Sequence, residues 1–374
     1  MQKSLEESIP FKEEIMNNPS SLKDILASIQ PVDPAWIEKA KERTAQLVMP
    51  PRALGRLHDF SERLCAIQKT LEPTVSKKAI AVMAGDHGIA SESVSAFPQE
   101  VTGAMVKTFL AGGAGINALA GHVGADVRVI DMGIIPEIDP ATIPGGEALI
   151  VRKIRKGTDN FLKGPAMSRQ EAEQSILAGF EVASSLYANG YDILGTGDMG
   201  IGNTSPSAAI GAVLSGCGVD VMTGPGTGLN AQGLAAKRAV LAKAIAWNRP
   251  DPADGIDVLA KVGGFEIGGI AGLILAAAFH QKPIVIDGFI STAGALIAHS
   301  LCPAATDYLF SGHCSEEPGH RFMLDHLQLR PILDLGMRLG EGTGAALAMC
   351  ILDASAKMFR QVMTFAQAQV SGKA

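Results

Sequence analysis

The sequence is poor in aromatic residues and cysteines, and it has no excess of positive charge. Aromatic side chains make up 5% of its 374 residues while glycine occurs 42 times, so we expect a core of small aliphatic side chains, as in layered α/β enzymes. A formal net charge of −6 argues against the basic face that non-specific nucleic-acid binding requires. These features predict a large folded protein that does not bind nucleic acids.

Motifs of several protein classes are also missing. The five cysteines are an odd number and form no C-x-x-C pair, which argues against a disulfide framework or a zinc ribbon. The pattern G-x-x-x-x-G-K-[ST] does not occur, so ATP or GTP hydrolysis is not indicated. The most apolar run, Ile267–Phe279, is too short to span a bilayer, and the N-terminus is polar without a signal-peptide pattern. We expect a cytoplasmic protein with no membrane span and no bound metal.

Residues 1–75 carry helix signals and none of the alternation typical of strands. Apolar residues at helical spacing follow Ser21, and Asp33-Pro34 provides an N-cap with proline at the first helical position. We predict that this segment forms most of a small helical domain, with residues 351–374 as a helical tail.

From Lys78 onward, short apolar runs alternate with small-residue loops and helices. The predicted strands are residues 79–84, 127–130, 191–194, 219–222 and 283–286. Continuous apolar runs alternating with helices predict a mostly parallel sheet covered on both faces, in one doubly wound α/β domain over residues 76–350. Ligands of such sheets bind beyond the carboxyl ends of the strands, so we expect the loops after these strands to form the site.

A glycine-flanked loop near the end of the chain delivers one carboxylate, Glu341, to the start of a helix. Residues 331–344 read P-I-L-D-L-G-M-R-L-G-E-G-T-G and run into an apolar segment. Glycine permits a sharp turn and close approach of a ligand, and a helix start offers free N–H groups to an anion. Arg338 can pair with a phosphate or a carboxylate. Taken alone, the loop is equally typical of a glycine-rich turn with a surface glutamate.

A second loop, G-T-G-D-M-G at residues 195–200, fits the dinucleotide pattern G-x-G-x-x-G. It follows a predicted strand, and Asp220 lies at the spacing of a ribose-binding acid, as in a nicotinamide-dependent oxidoreductase. However, glycine is abundant enough for chance matches, and the polar Gly202-Asn203-Thr204 falls where the packed helix should begin. We keep the oxidoreductase as a minor alternative.

A third loop, residues 224–228, is suited to hold one phosphate. Gly226, Thr227 and Gly228 offer backbone N–H groups and a hydroxyl, and Lys237 on the next predicted helix offers a countercharge. Each glycine loop alone is more often a tight strand-to-helix turn. Two glycine loops in succession, with Lys237 and Arg338 as available cations, favour a binding site for the phosphate of a mononucleotide.

Two further segments carry side chains that can bind a ligand. Phe97 and Gln99 can hold a flat heterocycle by stacking and an edge hydrogen bond, although a phenylalanine anchoring a helix start is an equally good interpretation. Asp86-His87 lies in a G-D-H-G loop, and such a pair is more often a hydrogen-bonded loop than a metal site.

Several of these loops, in order, resemble the nicotinate-nucleotide–dimethylbenzimidazole phosphoribosyltransferase family. The motifs are G-D-H-G at 85–88, F-P-Q-E-V-T at 97–102, G-T-G-D-M-G-I-G-N-T at 195–204, D-G-F-I-S-T at 287–292 and L-D-L-G-M-R-L-G-E-G-T-G at 333–344. The resemblance spans about residues 50–350. It implies transfer of phosphoribose from nicotinate mononucleotide to 5,6-dimethylbenzimidazole, giving α-ribazole 5′-phosphate and nicotinate in assembly of the cobalamin nucleotide loop. It also implies a homodimer, no cofactor, a Rossmann-like large domain and a small helical domain built from the chain ends.

The resemblance also implies roles for individual residues. Glu341 is the expected general base, and Arg338 and Leu339 line the site. The residues expected around the ribose phosphate are Asp198, Gly200, Gly202, Asn203, Gly226, Thr227, Gly228, Lys237 and Ser315, and those around the base are Phe97 and Gln99. Asp198 stands where the family usually has glutamate, Pro225 stands where it has arginine, and residues 51–55 depart from its Pro-Gly-Ser-Leu-Gly.

The implied chemistry suits a single carboxylate. Nicotinate in the mononucleotide is a pyridinium, so it leaves C1′ as a neutral ring nitrogen and needs neither an acid nor a Mg²⁺ clamp. The attacking benzimidazole becomes positively charged, and a carboxylate can take the proton from its other ring nitrogen. A helix start lowers the pKa of Glu341 and weakens it as a base, whereas burial raises that pKa.

The second hypothesis for the function is a nucleotide-binding protein that has the same pocket but no catalytic activity.

Overall fold

The computed structural model describes residues 21–371. The helices are α1 (Leu22–Ser28), α2 (Pro34–Gln46), α3 (Arg56–Gln68), α4 (Val101–Leu110), α5 (Gly115–Val123), α6 (Arg169–Ala188), α7 (Thr204–Ser215), α8 (Val219–Met222), α9 (Ala231–Asn248), α10 (Gly255–Val262), α11 (Phe265–Phe279), α12 (Phe289–Leu301), α13 (His320–His326), α14 (Thr343–Gln361) and α15 (Phe365–Ala368). The strands are β1 (Lys78–Gly85), β2 (Ala125–Gly133), β3 (Leu149–Val151), β4 (Ile193–Met199), β5 (Ile284–Ile286), β6 (Leu309–Ser311), β7 (His313–Ser315) and β8 (Leu333–Met337).

The main sheet has six strands in the order β3-β2-β1-β4-β5-β6, and all its pairs are parallel. This order reverses direction between β1 and β4, as in a Rossmann sheet, and so opens a crevice at the carboxyl ends of those strands. Every residue of β1 is buried, because helices cover both faces of the sheet. The predicted doubly wound, parallel α/β fold is confirmed.

The most apolar run, Ile267–Phe279, forms most of α11, a buried helix that packs against α6 and against the sheet. Gly179 of α6 and Gly269 of α11 allow this close packing, since a Cβ at Gly179 would lie 2.0 Å from the Gly269 carbonyl oxygen. Within residues 21–371, no helix has the length and apolarity to cross a membrane.

One strand prediction is wrong, and four strands were not predicted. Residues 219–222 form α8 instead of a strand, with Val221 exposed and Met222 buried. Residues 219–222 read V-D-V-M, and four residues are too few for their periodicity to separate a strand from a helix. The strands β3, β6 and β7 have three residues each, and β8 lies inside the stretch predicted as a loop, so pairing with neighbours decides their structure.

The two ends of the described chain meet. Ala40 of α2, Cys65 of α3 and Phe359 of α14 form a small apolar cluster separate from the main core. α14 runs without interruption through residue 350, where we predicted the boundary of the large domain. The division into two domains stays a prediction, and its residues 1–20 and 372–374 lie outside the described part of the chain.

Candidate active site

A cavity of about 420 Å³ opens at the carboxyl ends of β4, β5 and β7. Its lining combines the predicted loops. The predicted residues among its lining are Phe97, Asp198, Gly200, Asn203, Gly226, Thr227, Ser315, Arg338, Leu339 and Glu341. Segments more than 200 residues apart in sequence thus reach one cavity because parallel strands end at the same edge of the sheet.

Glu341 is presented by a tight turn that precedes α14. Its φ is +64° and that of Gly342 is +95°, so both residues occupy the left-handed region. The turn lies directly against β4, because a Cβ at Gly197 would come within 2.4 Å of the Glu341 carbonyl oxygen. Gly197 therefore makes room for the Glu341 turn, whereas Gly195 makes room for Ile80 and Gly200 for the Gly85 carbonyl, so close packing explains the three glycines of the apparent dinucleotide motif.

The N-terminus of α14 is occupied by another carboxylate, that of Asp287. Its Oδ1 accepts the N–H groups of Gly344 at 2.7 Å and Ala345 at 3.0 Å, and its Oδ2 accepts that of Gly342 at 3.1 Å. Asp287 follows β5 and is fully buried. The sequence had suggested that these N–H groups are free to bind a ligand. The structure shows that they are not, because Asp287 accepts them.

The Glu341 carboxylate lies at the start of a different helix. Its Oε2 accepts the N–H of Ile116 in the first turn of α5 at 3.0 Å. Burial, with a smaller contribution from the Asp287 carboxylate, raises the pKa of Glu341 against the opposing effect of this hydrogen bond. Burial thus outweighs the helix terminus, and Glu341 is a stronger base than an exposed glutamate.

Asp198 at the end of β4 is a second acidic group of the cavity. Its Oδ2 accepts a hydrogen bond from Asn203 Nδ2 at 2.9 Å. Burial first, and then the nearby Asp287 carboxylate, raise the pKa of Asp198 to about 8. At neutral pH Asp198 is therefore mostly protonated, and its hydroxyl can donate a hydrogen bond to a ligand.

The predicted phosphate loop is held by buried charged groups. The N–H of Gly226 donates to Glu317 Oε1 at 2.9 Å, and Lys237 Nζ donates to Thr204 Oγ1 at 2.7 Å. Burial lowers the pKa of Lys237 to about 8 despite the attraction of Glu317, and burial also raises the pKa of Glu317. Thr227 accepts the N–H of Ala96 at 3.0 Å, which ties this loop to the segment carrying Phe97.

Ser315 is positioned by a buried neutral histidine. His320 Nδ1 accepts the N–H of Ser315 at 2.8 Å, so the ring carries its proton on Nε2, which lies 2.9 Å from Thr292 Oγ1. Burial lowers the pKa of His320 to about 3, so the ring is uncharged. The Thr292 hydroxyl in turn donates to the carbonyl of Gly288 in the cavity wall.

Four predicted site residues do not line this cavity: Gln99, Gly202, Gly228 and Lys237. Lys237 lies just behind the lining, 3.3 Å from where a Cβ of Gly226 would be. Several lining residues were not predicted from the sequence, among them Val101, Met105, Thr204, Phe289, His313 and Glu317. For His313 and Glu317 a signal existed, since both lie two residues from Ser315.

A buried ion pair supports the floor of the cavity. His87 Nε2 lies 2.9 Å from Glu266 Oε1, and both side chains are fully buried. Although burial opposes it, the Glu266 carboxylate raises the pKa of His87. A Cβ at Gly200 would lie 3.0 Å from His87 Nε2, so the pair is directly beneath the cavity lining. Gln99 reaches the same place, donating from Nε2 to the His87 carbonyl at 3.3 Å.

Comparison with known proteins defines the class. The model of a family described as "Phosphoribosyltransferase" matches residues 29–370. The fold and this match make the chain a phosphoribosyltransferase built on a Rossmann-like parallel sheet.

Relatives and solved structures define the family. A nicotinate-nucleotide–dimethylbenzimidazole phosphoribosyltransferase from Geotalea uraniireducens is 52% identical over 350 residues, covering 94% of this chain and 98% of that protein. One from Geobacter metallireducens is 53% identical over 349 residues, covering 93% and 98%. The crystal structure of CobT from Thermus thermophilus superposes with a TM-score of 0.86 at 46% identity, covering 91% of this chain and 100% of the other. The chain belongs to the nicotinate-nucleotide–dimethylbenzimidazole phosphoribosyltransferase family, which confirms the resemblance of its motifs.

Proposed function

We propose that this chain transfers phosphoribose from nicotinate mononucleotide to 5,6-dimethylbenzimidazole, releasing nicotinate and α-ribazole 5′-phosphate for the cobalamin nucleotide loop. The observation that carries the proposal is the carboxylate of Glu341, a cavity-lining group with a raised pKa. Glu341 takes the proton from one ring nitrogen of the base while the other nitrogen attacks C1′. The C1′–N bond to the pyridinium breaks, its electron pair stays on the nicotinate nitrogen, and C1′ inverts from β to α.

The other charged groups of the cavity support this use of Glu341. Arg338 and Lys237 supply positive charge for the phosphate, with the ribose phosphate expected beside Gly226, Thr227 and Ser315. Asp198, which its raised pKa keeps mostly protonated, does not compete with Glu341 for the proton of the base.

We also propose that the protein works as a homodimer in the cytoplasm. Phe97 and Leu339, which both line the cavity, are 54% and 60% exposed, and apolar side chains exposed together favour a face covered by another subunit. All five cysteines are free thiols, as is usual for proteins of a reducing compartment. Analytical ultracentrifugation at micromolar concentration tests the dimer, and a monomer there would contradict it.

A mass-spectrometric assay with purified protein tests the reaction. We expect nicotinate mononucleotide and 5,6-dimethylbenzimidazole to give ribazole phosphate and nicotinate in equal amounts. Unsubstituted benzimidazole and adenine, supplied in place of the methylated base, then define the preferred acceptor. Calorimetric binding of the mononucleotide without any product from these bases would favour the second hypothesis, a binding protein without activity.

A further inference from the structure

A second cavity, of about 230 Å³, lies between α3 and the edge strand β6. It shares no lining residue with the candidate active site. Its lining includes three arginines, Arg56, Arg63 and Arg330, and we refer to this cavity as the arginine cleft. These residues come from two segments more than 250 residues apart in the sequence, so the fold brings their charges together.

Among residues 21–371, no carboxylate forms an ion pair with any of the three arginines of the cleft, and Asp59 and Asp307 attract Arg63 only from a longer distance. The carboxylate among its lining residues, Asp59, is paired with Arg52, which is not part of the lining. Arg56 donates to the carbonyls of Pro331 and Arg330 at 2.7 and 2.9 Å. Carbonyl groups fix a guanidinium in place but do not cancel its charge.

Arg63 is fixed in the same way. Its Nη2 donates to the carbonyl of Leu309 at 2.8 Å, and its guanidinium stacks over Phe310 with 4.5 Å to the ring centroid. Each guanidinium has five N–H donors, so N–H groups remain for a ligand after these contacts. Arg56 and Arg63 thus present oriented donors that are held before any ligand arrives, and the exposed Arg330 adds a third guanidinium.

The arrangement is electrostatically unfavourable without a counter-ion. Burial first, and then the charge of Arg330, lower the pKa of Arg56 against the weaker attraction of Asp59. Burial, and to a lesser extent the charge of Arg56, lower the pKa of Arg63 against the attraction of Asp307. The hydroxyl of Ser311, which also lines the cleft, is buried and has no hydrogen-bond partner among residues 21–371. An anion in the cleft would offset the repulsion and could accept from this hydroxyl.

We propose that the arginine cleft binds a small tetrahedral oxyanion, either inorganic phosphate or the phosphate of a monoester, at a site separate from the candidate active site. Planar guanidinium groups match the oxygen pairs of such an ion and bind it in bidentate fashion. The ion links α3 to residues 328–332, which lead directly into β8 and the Glu341 loop. Its binding therefore stabilises the contact between the helical segment and the sheet.

Anomalous diffraction from crystals soaked in selenate, a phosphate analogue, tests the location. Arg330→Gln is the informative variant because the Arg330 side chain is exposed and makes no described contact that holds the fold. Arg321→Gln is its match, because it removes one charge from an exposed arginine whose partner, Asp334, lies outside the cleft. We expect a selenate peak between the three arginines in the wild-type protein and in Arg321→Gln, and its loss in Arg330→Gln.

Thermal unfolding distinguishes a genuine binding site from the other outcome, an adventitious ion only. Inorganic phosphate should raise the melting temperature of the wild type and Arg321→Gln more than that of Arg330→Gln. The same titration with nicotinate mononucleotide and with nicotinate distinguishes a monoester from free phosphate and from a carboxylate. No peak in the cleft, a peak unchanged in Arg330→Gln, or equal phosphate responses in both variants would overturn the proposal. None of these results depends on transferase activity.

Discussion

Asp287 holds the backbone that presents Glu341. Its carboxylate, at the end of β5, accepts three N–H groups from Gly342, Gly344 and Ala345, directly after the catalytic candidate. The sequence groups these residues into two separate motifs. The structure joins the motifs into one unit, in which Asp287 fixes the turn and Glu341 faces the cavity.

The first prediction concerns this unit. Asp287→Asn replaces one acceptor oxygen by an N–H₂ donor, so at least one N–H of α14 loses its partner. We expect the free energy of unfolding to fall by about 1–3 kcal/mol. We also expect kcat to fall about tenfold or more, because the position of Glu341 is loosened.

Asp254→Asn is the matched control, because Asp254 also accepts two N–H groups at the start of a helix, α10, away from the cavity. It should lower stability without lowering kcat in folded protein. Equal kcat losses in the two variants would show that Asp287 has no special relation to Glu341.

The second prediction concerns the base itself. Glu341→Gln keeps the size of the side chain and removes its ability to take a proton, so kcat should fall by at least about 100-fold. The melting temperature should change little. Steady-state kinetics with both substrates measure the effect, with the exposed Glu181→Gln on α6 as control. Turnover near that of the wild type would exclude Glu341 as the general base.

The third prediction concerns the pH dependence of stability. The pKa of Asp198 is about 8 in the folded protein against an ordinary 3.8, so between these values the folded state retains a proton that the unfolded chain has released. The proton on Asp198 therefore stabilises the folded state, and this contribution to the free energy of unfolding is complete below about pH 4 and is lost as the pH rises through about 8. As the pH rises from about 5 to about 7.5, the free energy of unfolding should therefore decrease less for Asp198→Asn than for the wild type.

Urea unfolding at several pH values measures this difference. The exposed Asp220→Asn is the control and should follow the wild type. Parallel pH profiles for the wild type and Asp198→Asn would mean that Asp198 is ionised in the folded protein.

The fourth prediction concerns the phosphate. Lys237→Met keeps an apolar stem in the buried position and removes the ammonium group near Gly226. Loss of one charge-assisted interaction of about 1.5–3 kcal/mol raises KM for nicotinate mononucleotide by about 10- to 100-fold. The KM for the base should change little. The control is Lys243→Met, an exposed change on the same helix, which should leave both KM values unchanged. A similar rise of the KM for nicotinate mononucleotide in Lys243→Met would contradict the role of Lys237 in binding the phosphate.

Local sequence patterns were sufficient to predict much of the fold and several residues of the candidate site. The apolar runs before residues 85, 131 and 287 predicted buried parallel strands, because strands covered on both faces need continuous apolar sequence. Glu341 was identified because glycines flank a single carboxylate before a helix, a feature contained within a few residues. The family motifs gave the class of reaction for the same reason, since each is a short continuous segment.

Relations between distant segments were decided by the tertiary structure. Residues 219–222 form a helix, and four residues are too few for periodicity to predict which structure they adopt. Burial raises the pKa of Glu341, with a smaller contribution from the carboxylate of Asp287, a residue more than 50 positions away in the sequence. Glu317 accepts from the phosphate loop, and Arg56 meets Arg330, across long stretches of chain. Burial and electrostatic interactions depend on what surrounds a side chain in space, and one-dimensional spacing does not contain that information.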